Sequence, residues 1–158
     1  MEIPATANLV GLAVVVSAAT FVVAKLDPRI VPNLATGALV TTSSRDPVSP
    51  DPAHVIDGDA SRFGFHTQWE QSPWVLLDLR SEKLVRHITV YNRLDCCRDR
   101  AVPLVIELSR DGQKFTEVAR VDDQFDRWDT VLAPQNARFI RAKSPRLGVL
   151  HLNEIEVR

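Results

Sequence analysis

The sequence predicts an all-β domain, a β-sandwich, with a separate apolar segment in front of it. Three observations carry that reading. After Asn33 the apolar residues alternate or come in short bursts, and no stretch sustains a helical period. Prolines and an Asp-Gly pair punctuate those bursts as turns punctuate strands. Finally, the first 24 residues differ in kind from the rest, since no charged side chain stands between Ile3 and Ala24.

That N-terminal stretch has 22 uncharged residues, and its core LVGLAVVVSAATFVVA (Leu9–Ala24) is almost wholly apolar. As a helix rising about 1.5 Å per residue, it just crosses a hydrocarbon core of about 30 Å. Residues 1–24 are therefore expected to be a membrane anchor or an export signal, with Val22 and Ala24 as a possible cleavage site. A buried core helix is the alternative. An exported or membrane-anchored chain with its domain outside the cytoplasm is the expectation, yet Lys25 and Arg29 follow the run and only Glu2 precedes it. The positive-inside rule therefore argues the other way, and the orientation stays open. Residues 25–32, KLDPRIVP, carry two prolines in eight positions and read as an extended linker. Residues 33–158 then form one domain.

Within that domain the strand candidates are Trp74–Leu79, Leu84–Tyr91, Leu104–Ser109, Phe115–Arg120, Ala137–Ala142 and Leu150–Val157. Ile88, Val90, Val105 and Leu108 supply the inward aliphatic positions. Ser109-Arg110-Asp111-Gly112 predicts a hairpin between two of the strands. Between Thr41 and Arg62, TTSSRDPVSPDPAHVIDGDASR is loop-rich, and loops at the ends of a sandwich commonly carry its function.

Composition narrows the function classes. Nineteen basic residues against twenty acidic give a net charge of −1, with 45% hydrophobic and 25% charged residues. That is ordinary for a folded domain and leaves no electrostatic basis for binding nucleic acid. Two cysteines supply neither a disulfide scaffold nor the four ligands of a structural zinc. Among the histidines, His54, His87 and His151 have no nucleophile or paired carboxylate at a useful spacing, and no Gly-rich phosphate loop is present. His87 reads as a structural strand residue, and His151 and Asn153 fall on the last strand. Trp69, Trp74 and Trp128 read as packed aromatics. A binding protein, not an enzyme, is expected.

Several motifs resemble one family in order. NLATGALVTTSS (33–44), AHVIDGDASRF (53–63), PWVLLDL (73–79), ITVYNR (88–93), LSRDGQKFTEV (108–118), ARFIRA (137–142) and LHLNEIEV (150–157) are similar to the discoidin domain. That is the family of the C domains of coagulation factors V and VIII and of many galactose-type carbohydrate-binding modules. The resemblance implies a jelly-roll sandwich whose loops at one end bind a sugar or a membrane or protein surface.

RLDCCRDR is the oddest local feature. Adjacent cysteines at 96 and 97 have Cα atoms about 3.8 Å apart, below the usual disulfide range of about 4.4–6.8 Å. A bond between them closes almost no loop and gains little chain-entropy stabilisation. It would serve as a rigid apolar knob; two reduced thiols are the alternative reading. Around them, His66 is followed by 26 residues, then Arg93-x-Asp95, then four residues and Arg100. This spacing resembles the signature of the F-type lectins, the fucolectin branch of the discoidin fold. There the His and both Arg residues bind the sugar, and a vicinal disulfide at the place of Cys96 and Cys97 packs on the pyranose ring.

The chemistry agrees with that assignment. Guanidinium forks reach the acceptors of an axial hydroxyl and a ring oxygen from two sides, and imidazole can donate or accept at the same hydroxyl. Asp95 reads as the carboxylate that holds a guanidinium in place. Phe65 or Phe63 would cover the sugar's C–H face. The resemblance further implies a structural calcium ion held by Asp59, Ser61 and Glu154, oxygen ligands that suit a hard cation. Only seven residues lie between Gly58 and His66, a shorter loop than the resemblance to fucolectins implies, which removes wall residues around the sugar.

Two functional readings follow. One is a membrane-tethered module for fucosylated or galactose-type glycans. The other is a discoidin module that uses its Arg-rich loop on a protein or cell surface without binding sugar. The sequence is silent on oligomeric state.

Overall fold

A computed structural model describes residues 31–158. The apolar run and most of the linker lie outside the described residues. Among those described, no helix is long and apolar enough to cross a membrane.

The described chain is all-β and jelly-roll-like. In order its strands are β1 (Leu39–Thr42), β2 (Phe65–His66), β3 (Glu70–Gln71), β4 (Trp74–Tyr91), β5 (Leu104–Ser109), β6 (Thr116–Val121), β7 (Arg127–Lys143), β8 (Leu147–Gly148), β9 (His151–Leu152) and β10 (Glu154–Val157). Two short 3-10 turns, Pro52–Ile56 and Arg98–Ala101, interrupt them.

Strands β4 and β7 form the spine, antiparallel along their length. The first half of β4 has β1 on its other side, and the second half has β10. Beyond β7 lie β5 and β6. The two stretches expected as Trp74–Leu79 and Leu84–Tyr91 are thus one bent strand. Arg80 sits there in the left-handed region (φ 67°), and its N–H donates to Asp78 Oδ1 at 2.8 Å. This bulge lets the strand change direction without ending it. Likewise β7 begins at Arg127, ten residues before the expected start, and passes through Pro134 beside a register shift.

The alternation in β4 buries Val75, Leu77 and Leu79, then Ile88 and Val90 past the bend. They meet Leu104, Ile106 and Leu108 of β5, Ile140 of β7, and Ile155 and Val157 of β10 in one core. Between β5 and β6 the expected hairpin forms. Asp111 Oδ1 accepts the N–H groups of Gln113 (2.8 Å) and Lys114 (2.9 Å), which holds its carboxyl down at about 2. Phe115 is expected at the start of the strand there but precedes it, since β6 begins at Thr116. At the opposite end of β4 and β10, two loops converge.

Candidate functional site

The first of these loops follows β4. Asn92 is buried and fixes it: Nδ2 donates to the carbonyls of Arg98 and Phe125, both at 3.0 Å, and Oδ1 accepts the Arg93 N–H at 2.8 Å. Cys96 and Cys97 are bonded to each other, with Cα atoms 3.8 Å apart. Cys97 adopts a left-handed conformation (φ 60°) and opens the 3-10 turn that carries the exposed Arg100. Its carbonyl accepts the Arg100 N–H at 3.0 Å and faces His151 Nε2 at 3.1 Å.

A second loop leads into β2. Phe65 and His66 pair with Leu152 and His151 of β9, so residues 87 and 85 positions apart become neighbours. Gly64 makes this pairing possible. Its N–H donates to the Leu152 carbonyl at 3.0 Å, and a Cβ there would meet the carbonyl oxygens of Leu152 and Asn153 at 2.6 Å. His66 is anchored by its own backbone, whose N–H donates to Ser49 Oγ at 2.9 Å.

Arg93, Asp95, Phe63, His66 and His151 then assemble around the disulfide loop. Arg93 donates through Nε and Nη2 to both oxygens of Asp95, at 2.6 and 2.9 Å. This fork raises the Arg93 pKa and holds the Asp95 carboxyl down at about 2. It leaves Nη1 outside the pair. The guanidinium lies 4.4 Å above the Phe63 ring, which also stands edge-on to His66 (6.2 Å) and His151 (6.4 Å). His66 Nδ1 is 2.6 Å from the Thr67 carbonyl. A carbonyl only accepts, so Nδ1 carries a proton; of the two neutral tautomers this selects the one with its lone pair at Nε2.

His151 is fully buried and lies 5.4 Å from His66, ring centre to ring centre. Burial pushes its pKa down to about 4, against the raising effect of its Cys97 hydrogen bond, with His66, Arg93 and Arg100 adding to the depression. It is neutral, and by the same reasoning Nε2 is its donor. Its Nδ1 is buried without a partner.

Of the residues expected at a binding site, His66, Arg93, Arg100, Cys96 and Cys97 lie together, with Asp95 on Arg93. Phe65 does not join them: it is fully buried in the core, since β2 alternates and turns this side chain inward. The aromatic at the surface is Phe63. Trp69, expected to be packed, is 69% exposed. Phe63 was the other aromatic expected there, whereas His151 was placed by no motif spacing and arrives through the β2–β9 pairing.

The three residues expected to hold calcium are placed as follows. Asp59 Oδ1 is taken by the backbone N–H (3.1 Å) and hydroxyl (2.6 Å) of Ser61, which lowers its pKa. Glu154 is buried under the same loop, and its Oε1 accepts the Gly58 N–H at 3.1 Å. Its Oε2 is buried with no partner, and burial pushes the carboxyl up to about 8. No group of three His, Cys, Asp or Glu converges on a metal position among the described residues. An ion there would have to draw on Glu154 Oε2 and on main-chain carbonyls of the loop.

These features define a discoidin-type, galactose-binding-like domain. Residues 54–142 match the family described as the NedA-like, galactose-binding domain, and the chain belongs to it. It is 25% identical over 114 residues to fucolectin-6 of Anguilla japonica, a match spanning 66% of this chain and 61% of that protein. Among solved structures, a fucose binding module of Streptococcus pneumoniae superposes with a TM-score of 0.70 at 26% identity, covering 80% of this chain and 94% of that one. A fucolectin from the serum of the striped bass Morone saxatilis does so with a TM-score of 0.73 at 25% identity, covering 79% and 47% respectively.

Proposed function

We propose that the domain is a non-catalytic, lectin-like module that binds fucose or a related sugar with an axial hydroxyl. One observation carries the reading: a pre-oriented donor and a pre-oriented acceptor stand beside an apolar knob. Asp95 fixes the Arg93 fork. The Thr67 carbonyl fixes the His66 tautomer, so that Nε2 accepts a hydroxyl proton. Arg100 supplies a second, exposed guanidinium, and the Cys96–Cys97 bond offers a small apolar surface to a pyranose ring. Groups held in place before binding lose little freedom on binding. The relatives named above include fucose-binding and fucolectin proteins, which supports the same sugar class.

The reading extends to location and to an ion. A disulfide persists in an oxidising compartment, so the domain works outside the cytoplasm, tethered or exported by residues 1–24. We infer that a structural calcium ion would sit on Glu154 Oε2, with main-chain carbonyls of the loop through Asp59 and Ser61 completing its shell, and would brace the loop that ends at His66.

Calorimetric titration with L-fucose, D-galactose and D-glucose, repeated after EGTA treatment, tests both. Fucose should bind, glucose should not, and EGTA should lower the melting temperature. Silence toward every sugar in an array of neutral glycans would leave a protein-docking discoidin module as the better account. A melting temperature indifferent to EGTA and to added calcium removes the ion.

A further inference from the structure

A net charge of −1 conceals an uneven distribution of charge over the molecule. At the end of the sandwich away from the sugar loops, β4 bends through Arg80, Ser81, Glu82 and Lys83, and β7 passes its register shift beside Pro134. The β5–β6 hairpin packs onto this bend: Arg110 donates through Nε and Nη2 to both oxygens of Glu82, at 2.9 and 3.1 Å. Lys114, from the same hairpin, lines one hollow with Gln135 and Asn136, and Asn136 pairs with Leu84. Arg86 follows, and its N–H donates to the Arg158 carbonyl at 2.7 Å. Arg80, Lys83, Arg86 and Lys114 thus share one end of the fold.

The acidic side chains at this end are already engaged. Glu82 holds Arg110, both oxygens of Asp78 take the Arg138 fork at 2.8 Å, and Glu156 takes Arg158 Nη1 at 2.7 Å. Asp111 Oδ1 caps the hairpin, accepting from the Ser109 hydroxyl and from the N–H groups of Gln113 and Lys114. By contrast, Arg80, Lys83, Arg86 and Lys114 have no acidic partner among the described residues. Once the internal pairs are set aside, this end is positive. Leu84, 41% exposed, lies between Lys83 and Arg86 and gives the patch an apolar centre.

We propose that this end is a docking surface for anionic lipid headgroups, on which the domain stands with its sugar loops turned away from the bilayer; the proposal rests on the tethering by residues 1–24 inferred above. Chain entry names a bilayer as the partner. Arg158 Nε donates to the Val31 carbonyl at 3.2 Å, so the chain joins the fold at this end. Only residues 25–30 separate Val31 from the apolar run, a reach of about 20 Å when fully extended. A tethered chain cannot carry this end far from the headgroups. Charge points the same way. Each basic residue within a Debye length of an anionic leaflet is worth about a fivefold gain in binding. Lys25 and Arg29 of the linker, against Asp27 alone, add to that attraction. The exposed Leu84 suits the boundary between headgroups and acyl chains.

The test places the full chain in vesicles of phosphatidylcholine, with and without phosphatidylglycerol, and reads amine acetylation by mass spectrometry. Lys83 and Lys114 report on the patch, and Lys143, opposite Trp74 and away from the bend, is the reference. With phosphatidylglycerol present, Lys83 and Lys114 should react about fivefold or more slowly relative to Lys143, as one basic residue at such a surface already gives. On phosphatidylcholine alone they should not be slowed, and about 0.5 M NaCl should erase the difference. Arg80→Glu with Arg86→Glu should erase it as well; Arg86→Glu alone, at an exposed side chain, should weaken it and serves if the pair fails to fold. Equal rates on both kinds of vesicle overturn the docking surface and leave the tether intact. So does slowing that survives charge reversal in a variant whose circular dichroism matches the wild type. A chain that does not float with phosphatidylcholine vesicles overturns the tether and the docking surface with it.

Discussion

Arg93 shows how one side chain can be fixed on three sides. Asp95 holds its Nε edge, Phe63 lies under its plane, and Asn92 holds its backbone N–H. What remains free is Nη1, a donor whose direction is set before any ligand arrives. Arg93→Ala should lower sugar affinity by about ten- to a hundred-fold, the value of charge-assisted hydrogen bonds at roughly 1.5–3 kcal/mol. Arg93→Lys should recover only part of it, because an ammonium cannot make the fork to Asp95 and still aim a second donor. The melting temperature should barely move in either variant, since the abandoned Asp95 carboxylate is exposed and water takes the place of the guanidinium. Calorimetry and thermal unfolding of the same samples check both halves. Undiminished binding in Arg93→Ala would place the site elsewhere.

At the scale of elements, one of the two shortest pairings matters most to the site. Strands β2 and β9 have two residues each, yet they bring His66 to His151 and set Phe63 over the cluster. Gly64 is the point of closest approach, and backbone oxygens on the facing strand cannot move aside as a side chain would. Gly64→Ala should therefore destabilise the domain by about 1–3 kcal/mol, the cost typical of overpacking, and weaken sugar binding through displacement of Phe63 and His66. Urea unfolding and titration read the two effects. An unaltered midpoint would mean that β2 slides away at no cost.

This is also where the sequence stops being informative. Alternation revealed the buried halves of β4, the Asp-Gly pair revealed the β5–β6 hairpin, and fixed spacing singled out His66 and the stretch from Arg93 to Arg100. A two-residue strand has no period to detect, so β2, β3 and β8 left no trace, and the expected strand Leu150–Val157 is in fact two, β9 and β10, divided at Asn153. The polar run Arg80-Ser81-Glu82-Lys83 at the bulge carries no apolar residue to continue the alternation, so the one strand β4 reads as two. The first half of β7 mostly faces solvent, with Arg127, Asp129 and Val131 exposed, and its Pro134 argued against a strand. Phe63 and Phe65, two positions apart, would share a face of one extended strand; they differ because β2 begins only at Phe65, which leaves Phe63 in the loop.

For the whole molecule, the buried histidine ties site geometry to stability. His151 has a pKa of about 4 in the folded chain against 6.5 when free. Between those values the unfolded chain binds a proton that the folded one refuses, so His151 makes folding less favourable as the pH drops from about 6.5 to 4. The loss amounts to about 2–4 kcal/mol across that window. Glu154 works the other way: its carboxyl is pushed up to about 8 from 4.5, so its burial costs stability as the pH rises between those values. The two opposing slopes are separated by comparing the wild type with His151→Gln in urea unfolding from pH 7.5 to 4. The wild type should lose more stability toward acid than the variant. Parallel profiles would mean that His151 is accessible to protons in the folded state.

Where the chain enters the fold bears on how the domain can be presented. Leu34 N–H donates to the Val157 carbonyl at 2.7 Å, and Arg158 Nε donates to the Val31 carbonyl at 3.2 Å. Both ends of the described chain therefore meet at the Val157 end of β10, whereas Glu154 and Asn153 mark the end where the loops gather. Four residues of extended strand, about 13 Å, lie between the two. Anything joined ahead of Val31 approaches from the far side of the domain. A sensor surface coupled through that end would leave the His66–Arg100 loops facing the bulk solution, and coupling through the lysine-poor loops at the other end would bury them against the chip.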